Sequence, residues 1–92
     1  MNISERISDA LKANETLTEG ERWTLQDTMK ALQFDQKFGM GAEFISGAAA
    51  RLASILSFLQ LSDRISEDEE EELLMIVNEI EAGREEDGQD AD

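Results

Sequence analysis

Four carboxylates, Asp68, Glu71, Glu72 and Glu79, are the side chains of this chain best suited to act on something outside it. At helical spacing they point away from an apolar stripe of Leu73, Leu74, Ile76, Val77 and Ile80. The stretch from Asp68 to Glu72 rises about 6 Å, close to the separation of neighbouring phosphates along a nucleic-acid strand. A ribbon of that kind can occupy a basic surface in place of nucleic acid. It sits in a steep charge gradient, because residues 1–62 hold 8 acids and 6 bases whereas residues 63–92 hold 14 acids and 2 bases, Arg64 and Arg84. Like charges at these spacings cost a few tenths of a kcal/mol per pair, so a chain needing only solubility could have spread them more widely. Two explanations stand side by side: a solvated helix face with a solubilising tail, or a surface for a basic partner.

Other chemistries fit poorly. With no cysteine and no histidine there is no disulfide, no thiolate or imidazole metal site, and no nucleophile–histidine pair. Calcium is the rival use of the carboxylates, since the acid-rich start and apolar continuation of Ser66 to Ile80 resemble the entering helix of an EF-hand. Placing Gly88 at the turn position puts the first ligand on Gly83, which has no side chain, and the last beyond Asp92. Gly39-Met40-Gly41 matches neither nucleotide-binding fingerprint, and the acids lie on an exposed helix start with no apolar pocket to raise a pKa. The expectation is a protein without catalytic residues, metal or cofactor. Direct nucleic-acid binding is disfavoured as well, because 8 Lys and Arg form no basic patch.

A second set of candidates is apolar. Leu25, Met29 and Leu32 make one stripe of a helix, while Trp23, Ala31, Phe34 and Phe38 lie on its opposite side. One stripe serves the core of so small a domain, so the aromatic side either packs on a neighbouring helix or serves a partner. Burial in the core is the commoner fate of such rings. The partner-binding candidates are therefore Asp68, Glu71, Glu72 and Glu79 together with Trp23, Phe34 and Phe38.

The elements that must position these residues are helical throughout. Proline is absent and strand-like alternation is scarce, so the spacing predicts an all-α fold, a compact bundle of about four helices over 1–83, with 84–92 a short, acidic, disordered tail. Asn2 with Glu5, Thr18 with Glu21 and Ser66 with Glu69 are capping-box patterns that open three of the helices. The first runs to about Ala13-Asn14, the second to about Lys37 with a hinge at Phe38 to Gly41, and the last closes at Gly83. Residues 42–62 are the most apolar segment. Arg51, Glu43 and five serine or glutamine residues weigh against a membrane span there. On a helical wheel Phe44, Ile45, Leu52, Ile55, Leu56 and Leu59 oppose Ser46, Gly47, Ala50, Ala53, Ser54 and Ser57, so this helix is expected to be central and covered on both faces by other helices or by a second subunit.

The N-terminus has no apolar run behind its first residues, which fits a cytoplasmic protein, the host cytoplasm if phage-encoded. In general character the chain resembles the phage-encoded anti-CRISPR and anti-restriction inhibitors, small acidic proteins of which some mimic DNA. That resemblance implies inhibition of a host defence complex, with a basic, nucleic-acid-binding surface of a CRISPR effector or similar nucleoprotein as the partner. The alternative is an assembly or adaptor subunit that forms a homodimer or docks a partner through its second and third helices, the acids serving solubility alone.

Overall fold

Three reciprocal caps set where the helices begin. In a computed structural model, which describes residues 2–83, Asn2 and Glu5, Thr18 and Glu21, and Ser66 and Glu69 each exchange side-chain-to-backbone hydrogen bonds at the start of α1 (Ile3–Ala10), α2 (Glu19–Lys37) and α4 (Glu67–Glu81). Each pair satisfies two backbone donors that a helix start would leave open. The fourth helix, α3 (Ala42–Leu61), begins at Gly41 with no side-chain cap. All described secondary structure is helical, in the order α1 to α4. The tail expected at 84–92 lies outside the described residues.

Left-handed residues follow three of the four helices. Gly39 (φ 73°) follows α2 and Gly83 (φ 72°) follows α4, as glycine permits without a Cβ clash. After α3 the same position is filled by Asp63 (φ 62°), with the Arg64 amide donating to the Leu59 carbonyl at 2.8 Å and the Asp63 amide to Gln60 at 3.0 Å. The α3–α4 turn is thus a Schellman closure built on a non-glycine residue.

α1 stops at Ala10, three to four residues before the expected end. The reason is polar. Asn14, 9% exposed, accepts from the Thr16 and Leu17 amides through Oδ1 (2.9 and 2.8 Å) and donates through Nδ2 to the Arg64 carbonyl (3.0 Å) and Glu69 Oε1 (2.9 Å). Arg22 reaches back to the carbonyls of Leu11 (3.1 Å) and Asn14, and Arg64 pairs with Glu21. These bonds draw residues 11–17 out of the helical path and tie the α1–α2 loop to the α3–α4 turn.

Glu21 has two roles there, as the Thr18 cap and as the Arg64 partner. The hydrogen bond from the Thr18 backbone, helped by the Arg64 charge, holds its carboxyl below the usual value of 4.5. A carboxyl whose folded pKa is depressed contributes stability above its unfolded pKa and loses it as pH falls through the folded one. The Glu21→Gln variant is therefore expected to melt with a shallower dependence on pH below about 4.5 than the parent. Thermal melts of both proteins across that range check this, and parallel curves would contradict it.

The core is a single cluster drawn from all four helices and both end loops: Ile3, Ile7 and Leu11; Leu17; Leu25, Met29 and Leu32; Ile45, Ala49, Leu52 and Leu56; Ile65; and Leu73, Ile76, Val77 and Ile80. α2 and α4 each touch the other three helices, with α4 making its broadest contact on α3, whereas α1 and α3 do not pack on one another. This corrects the expectation that other helices of the chain cover α3 on both faces: it packs on α2 and α4 alone. On α3 the core face is Ile45, Ala49, Leu52 and Leu56; Phe44 and Ile55, grouped with that face on the wheel, lie at its open edge. Ser46, Ala50 and Ser54 are exposed, so the small-residue face receives no neighbouring backbone. The slowest amide exchange is accordingly expected across Leu73–Ile80 rather than within 42–62. Exchange mass spectrometry showing stronger protection across Phe44–Leu61 would contradict that placement.

Candidate protein-binding surfaces

The acidic candidates separate into two groups. Asp68, Glu71 and Glu72 are exposed, and neither they nor the neighbouring Glu67 meet a base among the described residues. Glu79 is different: its Oε1 accepts from Arg6 Nη1 at 2.6 Å, with the two side chains 30% and 18% exposed, so it staples α4 to α1. Of the four carboxylates expected to form one outward ribbon, Glu79 is thus spent on an internal ion pair. Glu69, nearby, is also committed, to the Ser66 cap and to Asn14. What remains is a cluster over the first turns of α4, where the helix dipole favours acids irrespective of any partner.

The aromatic candidates are fully outside. Trp23, Phe34 and Phe38 are 65, 60 and 70% exposed, on the side of α2 opposite Leu25, Met29 and Leu32, and no part of α1 covers them. The commoner expectation, burial of this stripe in the core, is corrected. Phe34 and Phe38 stack on each other with ring centroids 4.4 Å apart and planes tilted by 33°. That pairing hides little of either ring.

α3 extends the same surface. Phe44, Ile55 and Phe58 are exposed, with Phe58 at 68%. The short Phe38–Gly41 link makes α2 and α3 antiparallel neighbours. Between them runs an open groove of about 460 Å³ lined by Gly20, Thr24, Leu25, Ile55 and Leu59. At about 100° per residue, Ala31, Phe34 and Phe38 on α2 and Phe44, Arg51 and Phe58 on α3 fall on the outer side of this two-helix layer. Residues 44, 48, 51, 55 and 58 alternate by four and three, the spacing of a helix–helix seam. That spacing is the signal available in the sequence, and grouping Phe44 and Ile55 with Ile45, Leu52 and Leu56 on one bulky face obscures it.

α3 is also the one described helix long and apolar enough to cross a membrane, with a mean hydropathy of 1.5 over its window. Its core residues and the mid-helix Arg51 give that composition another use: one face packs on α4 and α2 and the other is an apolar exterior.

A second cleft, about 330 Å³, lies at the polar hub, lined by Asn14, Thr16, Asp63, Arg64, Ser66 and Glu69. Its amide donors at the start of α4 are already engaged by Ser66 and Glu69, so it offers no open cradle for an anion. Among the described residues no group of three or more carboxylates converges as a metal site.

No family model, curated protein or solved structure matches this chain.

Proposed function

We propose that this protein is a non-catalytic, protein-binding helical subunit whose working surface is the outer face of α2 and α3. The supporting observation is a single one: Trp23, Phe34, Phe38, Phe44, Ile55 and Phe58 stand exposed on two adjacent helices while a complete core exists without them. Leaving each ring in water forgoes roughly 1.5–3 kcal/mol of burial, a cost that exposed carboxylates do not incur. Aromatic side chains in a contiguous patch are the usual anchors of protein interfaces.

The acidic start of α4 favours a second role. Glu67, Asp68, Glu71 and Glu72 face solvent without counter-charges among the described residues, which suits contact with a basic surface, as in an inhibitor that displaces nucleic acid from a nucleoprotein effector. With Glu79 paired to Arg6, that ribbon is shorter than the sequence suggests.

A photo-crosslinking amino acid placed in turn at Phe34, Phe58, Glu71 and the exposed Lys12, with the protein expressed in cells, separates these. Adducts with another protein chain from positions 34 and 58, and none from 12, are the expected result. Adducts confined to position 71 would move the function to the acidic end, and none at 34 or 58 would overturn the α2–α3 surface.

A further inference from the structure

We infer that the occupant of the α2–α3 face is a second copy of this chain, paired about a two-fold axis along the helices so that α2 of each copy lies over α3 of the other. This pairing rests on the α2–α3 face being a protein-binding surface.

Area is the first support. At roughly 200 Å² for a whole aromatic side chain, the exposed parts of Phe34, Phe38, Phe44, Ile55 and Phe58 with Trp23 at the flank amount to on the order of 600–700 Å² per copy. A two-fold contact thus hides about 1,200–1,400 Å², within the range of stable specific interfaces.

Charge is the second. From Glu19 to Leu61 there are 5 acids and 4 bases, while α4 has 8 acids and no base. Two copies, each with a net charge of −14, can approach closely only through a face that is almost neutral. α4 meets α2 and α3 through Leu73, Ile76, Val77 and Ile80, which leaves its acids on the far side of each copy.

Charge also selects the register. Gly20 and Thr24 share the groove with Ile55 and Leu59, which sets Asp27 level with the middle of α3. Laying α2 over the other copy's α3 then brings Asp27 against Arg51, both exposed and without an ion-pair partner among the described residues. The other two-fold arrangement, α3 over α3, sets Arg51 against itself.

Shape agrees with the same choice. In that register Phe58 falls over Gly20 of the second copy. Within its own chain a Cβ on Gly20 would meet nothing closer than Thr18 Oγ1 at 3.9 Å, so the monomer does not require glycine there. In a helix glycine costs about 1 kcal/mol against alanine, and close approach of another chain gives it a purpose.

Sedimentation velocity on the purified protein from ~1 to ~200 µM tests the pairing. The parent chain is expected to pass from monomer to dimer across that range. Phe58→Asp and Gly20→Leu should leave it monomeric with an unchanged helical spectrum, since both positions are open in the monomer. Arg51→Asp and Asp27→Arg should each weaken association at least tenfold, and the double exchange should recover most of that loss. A parent chain monomeric at ~200 µM, or charge exchanges that fail to compensate, would overturn self-pairing. If the monomer instead gives crosslinks at positions 34 and 58 to a different protein, the binding surface stands and the second copy is excluded; if it gives none, both fall.

Discussion

Replacing Asn14 with alanine is expected to remove about 2–4 kcal/mol of stability, because it deletes one side chain that makes four hydrogen bonds in a nearly buried position. The Leu17 amide is left buried without its acceptor, and the Arg64 carbonyl loses a side-chain donor. For a domain of this size that corresponds to a fall in melting temperature of about 10–25 °C. Asn14→Asp is expected to do no better, since it keeps the acceptor but sets a second carboxylate beside Glu69 in place of a donor. A loss below 1 kcal/mol for Asn14→Ala in a chemical-denaturation curve would show that Arg22 and the Arg64–Glu21 pair hold the two loops without it.

Leu73→Ala should be comparably severe, about 2–5 kcal/mol, because Leu73 is fully buried on a helix that packs against all three others. Phe34→Ala and Phe58→Ala, which remove more carbon, should change the stability of the dilute monomer by no more than about 0.5 kcal/mol. The contrast matters more than either number: ring size does not set the cost, burial does. Denaturation at low micromolar concentration measures all three, and a cost above about 2 kcal/mol for Phe58→Ala would place that ring in the core.

The helices were legible because their boundaries depend on short-range chemistry. Each capping box lies within four consecutive residues, and all three form as the pattern predicts. Gly39 and Gly83 were readable as stops for the same reason. Which helix is central was not legible, since it depends on how four amphipathic faces pack together. α3 is the most apolar segment, yet part of its apolar surface faces outward, and α4, the most acidic, reaches all three other helices, as α2 does, and buries four residues. The polar hub was not legible either, because Asn14 lies 50 residues from Arg64 and 55 from Glu69. Glu79 is likewise paired over a long stretch of chain, with Arg6 73 residues earlier. Periodicity identified the second stripe on α2; that nothing covers it depends on the fold.

The measurement closest to the central claim is hydroxyl-radical labelling of Phe34, Phe38, Phe44 and Phe58, first in the purified protein at ~1 µM and then inside cells expressing it. Met75, 52% exposed on α4, is the internal reference. If the α2–α3 face is a protein-binding surface, all four rings should be labelled in the dilute monomer and protected several-fold in the cell, with Met75 labelled equally in both. Rings labelled as strongly in cells as in dilute solution would show that nothing binds this face and would contradict the account.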